Sequence, residues 1–301
     1  MNISRLLAHA SLGVLKSVSD KLSPGERSHL ARQIMQDRFH SRTRALGDLF
    51  GRSVLAWKNK QYDVERNGEA ALLRRLAPFG PKILFDVGAN IGDWSIAALR
   101  GIPTTHVHAF EIARTTATDL ERNLAAYSDR AIVNTCGLGA RQGEVKLFYS
   151  PESSTAASMI PGVLEFSAQE HQISTIQEIS AAIMTGDRYM ADGRIDRVDF
   201  LKIDVEGAEW DVLEGFSGAF ADRKIQMVQF EYGPLNLKTR RFLGDYWAFF
   251  ADRGFVLGKL YPEGVAFKDF DMSDEDFTGP NFIACLSTRT DLIEGLKCEV
   301  L

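Results

Sequence analysis

The sequence predicts an α/β fold: a doubly wound, mostly parallel sheet with crossover helices, preceded by an N-terminal helical extension. Three observations lead there. From residue 82 onward, short apolar β-type runs alternate with helical patterns, as strands joined by crossover helices do. One such run, Ile83-Leu84-Phe85-Asp86-Val87, breaks into the turn Gly88-Ala89-Asn90-Ile91-Gly92, and a helical pattern follows. A strand, a glycine turn and a helix N-terminus open the ligand crevice of open α/β sheets. Residues 1–80, by contrast, carry helix signals and no strand pattern.

Composition narrows the class without naming a ligand. With 301 residues, 45% of them hydrophobic and 25% charged, the chain can bury a large core. A formal net charge of −5 gives no general attraction for nucleic acid or anionic membrane. Cys136, Cys285 and Cys298 stand far apart, which suggests neither a disulfide framework nor a CxxC metal site, and fits a reducing cytoplasm. No apolar run reaches the ~18 residues that a membrane span needs.

Taken in order, residues 3–22 place Ile3, Leu7, Ala10, Val14 and Val18 at helical spacing among Arg5, Lys16 and Lys21. His9 interrupts the one stretch that could serve as the core of a signal peptide. The pattern reads as an amphipathic helix packed on this protein or on a second copy, with weak membrane association as the alternative. Ser23-Pro24-Gly25-Glu26 starts a helix: serine caps, proline suits the first turn, and Glu26 completes the capping-box spacing. That helix, running towards Arg44, is rich in Arg and His and reads as exposed. Gly68-Glu69 opens a further helix over 70–77, whose Leu72, Leu73 and Leu76 can lie on the following sheet; Pro78 and Pro81 mark the boundary. The expected domains are an extension over 1–67 and a main domain over 68–301.

Strands are expected at 83–87, 105–110, 131–136, 144–149, 198–203, 225–231, 255–260 and 281–287, and helices at 92–100, 114–126, 175–183, 208–215 and 239–252. The last two strands are joined by the Gly- and Asp-rich stretch 261–280 without a long helix, so they should pair antiparallel. Segment 150–172 is polar and aperiodic, and loops of that length inside a domain are more often lids than idle.

The chemistry gathers at strand tips. Gly88 and Gly92 are spaced GxxxG and follow Asp86, unlike the GxGxxG of a dinucleotide fingerprint. A carboxylate beside such a turn suits a ligand bearing an ammonium better than one bearing phosphates. In His106-Val107-His108-Ala109-Phe110-Glu111 the next strand also ends in an acid, placed to take the two hydroxyls of a ribose. A ligand with an ammonium and a ribose describes S-adenosylmethionine. His106 and His108 share one face of their strand, but no third ligand stands near them, so no metal is expected there. Lys202, Asp204 and Glu206 alternate towards one side of a third strand end, and charges grouped there are costly to bury unless paired or used. Glu231, in Gln229-Phe230-Glu231-Tyr232, ends a fourth strand and could be a base, a ligand-binding group or an ordinary strand-end charge.

The DVGANIG turn, the HAFE strand end, Asn134 in Val-Asn-Thr-Cys-Gly-Leu-Gly, KIDVEGAEWDVLEG and QFEY, in this order and spacing, resemble the FkbM family of S-adenosylmethionine-dependent methyltransferases over about residues 68–287. The resemblance implies the class I methyltransferase fold, a seven-stranded sheet with an antiparallel last strand, and O-methylation of a hydroxyl, often on a sugar, glycan or natural product. It implies that Asp86, Gly88, Ala89, Asn90 and Gly92 surround the methionine part of the cofactor, and that Glu111, followed by Ile112, holds the ribose. Asn134 would lie near the adenine, and Asp204 and Glu206 would stand where methionine end and acceptor meet. Two departures stand out: His171-Gln172-Ile173-Ser174-Thr175-Ile176 lacks the Leu-Asp step that often opens the following helix, and Ala140 stands where an acid is common.

The expected catalytic group is therefore Asp204 or Glu206 as base, Lys202 orienting it, and Glu231 in reserve, with S-adenosylhomocysteine as product. Mg²⁺ at Asp204 and Glu206 is the mechanistic variant; the pattern does not require it. A nicotinamide oxidoreductase and a non-catalytic cofactor-fold module are the readings of other classes. Expected partners are a small-molecule or glycan acceptor and a second copy through the N-terminal helices, with no nucleic acid.

Overall fold

The computed structural model describes residues 21–150, 153–160 and 175–298. The chain divides into two compact units with the boundary after Trp57. The expected helix over 3–22 lies outside the described residues.

The first unit shows helices Pro24–Gln36 and Ser41–Trp57. Ser23 and Glu26 form the expected capping box: the Glu26 carboxylate accepts from Ser23 N at 2.7 Å, and the Glu26 amide donates to Ser23 Oγ at 3.4 Å. The first helix buries no side chain, as its polar composition predicts.

Segment 58–67, expected in the extension, belongs to the second unit instead. Asn59 ties it there, donating through Nδ2 to Leu260 O at 3.0 Å and to Asn67 O at 2.7 Å. A short asparagine-anchored segment carries no hydrophobic period that could announce such docking.

The second unit is built on an eight-stranded sheet of order β11-β10-β12-β9-β8-β1-β2-β3. Its strands are β1 (Ile83–Val87), β2 (His106–Phe110), β3 (Ala131–Asn134), β8 (Phe200–Ile203), β9 (Met227–Glu231), β10 (Phe255–Tyr261), β11 (Gly264–Phe267) and β12 (Asn281–Leu286). β3, β2, β1, β8 and β9 are parallel neighbours, and β12 runs antiparallel between β9 and β10. The expected antiparallel final strand is thus present; the short β10–β11 hairpin adds an edge strand beyond the seven expected.

Helices Glu69–Leu76 and Asp93–Gly101 cover one face, where Leu72, Leu73, Leu76, Trp94 and Ala98 pack with Leu84, Val107 and Phe200. Helices Glu209–Gly215 and Leu243–Ala251 cover the other, where Val212, Leu213, Tyr246 and Phe250 pack with Phe85, Leu201, Ile203 and Phe230. The central strands, such as β1 and β8, therefore bury both faces, which explains their near-continuous apolar runs. The chain leaves β1 for β2 and β3, then returns to place β8 on the other side of β1. That reversal is the switch point at which such sheets hold ligands.

A second, four-stranded sheet, order β4-β7-β5-β6, corrects two expectations. It contains β4 (Gly137–Leu138), β5 (Gly143–Ser150), β6 (Ser153–Ser158) and β7 (Gln177–Met184). The expected strand 144–149 lies here rather than in the main sheet. The helix expected over 175–183 is β7, paired antiparallel with β5 from Gly143↔Ile183 to Tyr149↔Gln177. Its apolar residues Ile179, Ala181 and Ile183 alternate with period two, and cross-strand pairing overrides the alanine-rich helix signal. Of the expected lid over 150–172, residues 153–158 form β6; 151–152 and 161–172 lie outside the described residues.

Candidate active site

The tips of β1, β2, β8 and β9 meet around two adjoining cavities that share Gly88, Asn90, Asp204 and Glu206. The smaller, ≈ 110 Å³, is walled by Glu111, Ile112, Gly137, Leu138, Leu147 and Met159. The larger, ≈ 390 Å³, is lined among others by Lys60, Asn67, Glu69, Trp94, Lys202 and Glu231.

The glycine turn holds the β1 and β8 tips together. Gly88 (φ +79°) and Ala89 donate their amides to Phe110 O at 3.0 and 2.9 Å, while Asp204 N donates to Val87 O at 2.9 Å. A Cβ on Gly88 would stand 1.7 Å from the Asp204 carbonyl oxygen, so only glycine lets the two tips approach. Gly92 (φ +98°) lies outside both cavities and turns the chain into the Asp93–Gly101 helix.

Glu111 is locked by its own turn: one carboxylate oxygen accepts from Asn90 N at 2.9 Å and the other from Ala113 N at 2.8 Å. Burial raises its pKa, and those two amides work against the rise. Ile112 and Ala113 pack against Leu147, Ala181 and Ile179 of the second sheet, which thereby walls the smaller cavity. Asn134 lines neither cavity; its Nδ2 donates to Ala109 O at 3.2 Å, a strand-edge contact.

Asp86 differs from expectation. Its side chain is 0% exposed, so no ligand ammonium reaches it. It accepts from Ser95 Oγ at 2.7 Å and ion-pairs with Lys202, whose Nζ lies 3.1 Å away. Lys202, 4% exposed, also donates to Gly88 O at 3.1 Å and lies 3.3 Å from Asp204 Oδ2. Burial works against the Lys202 ammonium, but Asp86, Asp204 and Glu69 outweigh it and hold its pKa above the usual lysine value. Lys202 is thus a fixed cation linking the glycine turn to Asp204.

Asp204, Glu206 and Glu231 each place one carboxylate oxygen within 4.8 Å of the others. Burial, followed by the charges of Asp204 and Glu209, pushes the Glu206 pKa well up. Burial, Asp204 and Glu206 do the same to Glu231. Glu206 (φ +52°) and Gly207 (φ +101°) form a left-handed pair, a conformation that costs a non-glycine residue on the order of 1 kcal/mol or more. Two contacts impose it: Ser158 Oγ of β6 donates to Glu206 O at 2.8 Å, and the Glu209 carboxylate accepts from Val205 N and Gly207 N, both at 3.1 Å.

Sequence reasoning missed Asn67, Glu69, Trp94 and the loop Gly233-Pro234-Leu235-Asn236, which also lines the larger cavity. Glu69 had a legible signal: it shares a helix face with Leu72, Leu73 and Leu76, and an acid on a buried stripe needs a reason. His106 is exposed, and His108 Nδ1 lies 2.8 Å from Tyr189 Oη, with burial and then His106 lowering its pKa to about 4; this neutral histidine is a packing group. Among the described residues no helix is long and apolar enough to cross a membrane.

Residues 86–257 match the family described as Methyltransferase FkbM domain. Three relatives are similar over about half of the chain. Methyltransferase sdnD of Sordaria araneosa is 31% identical over 159 residues, covering 46% of this chain and 61% of that protein. Hexuronic acid methyltransferase AglP of Haloferax volcanii is 25% identical over 151 residues, covering 50% and 56%. The 31-O-demethyl-FK506 methyltransferase FkbM of Streptomyces tacrolimicus is 26% identical over 165 residues, covering 48% and 64%. The chain therefore spans less than two thirds of the length of each.

Proposed function

The chain belongs to the FkbM methyltransferase family, and from that premise we propose that it transfers a methyl group from S-adenosylmethionine to a hydroxyl of a sugar, glycan or natural product. One observation carries this reading: the two cavities share Gly88, Asn90, Asp204 and Glu206, so the smaller space beside Glu111 and Ile112 opens directly onto a carboxylate-lined one.

The residues fit the donor. Glu111, its oxygens fixed by backbone amides, offers its remaining lone pairs to a vicinal diol, and Ile112 supplies an apolar wall for a purine. Gly88 and Asn90 line both cavities, and Ala89 lines the larger. S-adenosylmethionine, when bound, supplies the electrophilic methyl. The protein's share is to align the acceptor, exclude water and accept the hydroxyl proton. Asp204 or Glu206 takes that proton, Lys202 holds Asp204 in place, and Glu231 backs them; a positioned base of this kind contributes roughly 10²–10⁴-fold. Acids outnumber Lys60 and Lys202 in the lining of the larger cavity, which favours a neutral acceptor over an anionic one.

The test is methyl transfer from labelled S-adenosylmethionine into fractionated glycan, lipid and small-molecule extracts, repeated with D204N and E206Q. Labelled hydroxyl ethers formed by the native chain are expected. Normal turnover in both variants would remove the carboxylate base.

A second reading has its own observation. The three clustered carboxylates could hold a divalent cation that binds an acceptor diol. Activity abolished by chelator and restored by Mg²⁺ would select it.

A further inference from the structure

Charge is unevenly divided along the chain. Residues 1–57 carry nine Lys and Arg against four Asp and Glu, and residues 58–301 carry 26 against 36, so a unit of net charge +5 precedes one of −10. The overall −5 therefore conceals a basic segment. The same segment holds most of the exposed apolar surface: nine of the fifteen large apolar side chains exposed among the described residues fall between Leu30 and Trp57.

That surface is ordered. In the helix Ser41–Trp57, the side chains of Leu46, Leu49, Phe50, Val54 and Trp57 recur at i, i+3, i+4, i+8 and i+11 and so share one face. They are between 42% and 70% exposed. Arg44, Asp48 and Arg52, at i, i+4 and i+8, mark the opposite face, and all three are exposed. The turn before the helix presents Phe39, 80% exposed, with the Arg38 guanidinium 5.5 Å from its ring. Among its described side chains the helix buries none. A stripe of this length on an otherwise polar helix marks a surface that a partner covers.

Charge selects the partner. A second copy would bring two basic units together, and their repulsion opposes the contact. A nucleic acid would meet the arginines and leave the stripe in water. An anionic lipid surface takes both features: leucine and aromatic side chains enter the boundary between headgroups and acyl chains, where tryptophan in particular settles, and basic side chains are drawn to the anionic headgroups. We infer that the helix Ser41–Trp57 is an interfacial helix that docks the protein on an anionic lipid surface, with the Leu46–Trp57 stripe towards the acyl chains. This is independent of the proposed methyl transfer.

Co-sedimentation of the full chain with vesicles tests it. Binding is expected to vesicles of equal parts phosphatidylcholine and phosphatidylglycerol, and not to phosphatidylcholine alone. Raising ionic strength from about 0.1 to 1 M shortens the screening length from about 10 to about 3 Å and should weaken binding about tenfold or more. F50S/W57S keeps the charge and removes apolar area, and R44Q/R52Q keeps the stripe and removes charge; each should weaken binding about tenfold or more. All four positions are exposed, so both variants should melt like the native chain by circular dichroism. Absence of binding to either vesicle, equal binding to both, or a variant pair that binds like the native chain overturns the inference. A dimer by light scattering that F50S/W57S converts to a monomer also overturns it, since the stripe is then covered by a second copy.

Discussion

Replacing Lys202 with methionine tests whether the buried Asp86–Lys202 pair is the element that ties the glycine turn to the β8 tip. Asp86 is 0% exposed and Lys202 4%. The ammonium, 3.1 Å away, is what faces Asp86 Oδ1, which makes no hydrogen bond of its own. Methionine matches the stem and removes the charge, so Asp86 keeps only its Ser95 contact. Removing one partner of a buried pair costs about 3–5 kcal/mol, against about 0–1 for an exposed pair. In a domain of this size that lowers Tm by roughly 6–20 °C. D86N/K202M removes both charges and should recover most of the loss, which makes the coupling visible in a double-mutant cycle. Urea unfolding at constant m-value is the assay. A K202M loss under about 1 kcal/mol, or a double variant no better than the single one, refutes the assignment.

Two further outcomes follow from the same geometry. G88A places a Cβ 1.7 Å from the Asp204 carbonyl oxygen at φ +79°, so the strand tips must part. We expect a cost of about 2–4 kcal/mol and loss of S-adenosylhomocysteine binding by calorimetry, and native binding in G88A would show that the tips tolerate separation. For Glu209, burial outweighs its backbone bonds and pushes the carboxyl to about 7 from 4.5, with Asp204, Glu206, Glu231 and Tyr246 facing it. The folded state then holds a proton that the unfolded chain releases, so the stabilisation is present below 4.5 and is lost as pH rises through about 7. E209Q should flatten this dependence by about 3 kcal/mol across that window, measured by urea midpoints at several pH values; identical pH profiles for variant and native chain would contradict the burial argument.

Local grammar made the centre of the site readable. Asp86 to Gly92, Glu111, and Lys202 to Glu206 each sit where an apolar run meets a turn, and such junctions are short-range events. What failed to show in the sequence depends on distant pairing. Gln177–Met184 looks helical until β5 offers it a ladder. Asp86 looks like a ligand group until the crossover returns Lys202 beside it. Glu69 was legible as a helix start, but its partner Gln229 arrives from β9, itself tied to Asn281 of β12. Register brings these groups together, and no window of neighbouring residues contains it.

Charge counting now ranks the carboxylates. Asp204, Glu206 and Glu231 crowd together with one buried cation, Lys202, which is already shared with Asp86. Three negative charges in that space are unsupportable, so protons must sit on some of the three. Burial and the neighbouring carboxylates push Glu206 and Glu231 well above the usual carboxylate value. Asp204 is the member that ion-pairs with Lys202. Glu231, held above the usual carboxylate value, is the poorer first base, so within the proposed reaction we expect Asp204, paired with Lys202, to take the acceptor's proton. The consequence is measurable without substrate. E231Q replaces a proton-bearing acid by a neutral isostere and should leave Tm at pH 7 unchanged or raised, whereas D204N strips Lys202 of a partner and should lower it. A larger loss in E231Q than in D204N would place the resting charge on Glu231 and make it the base.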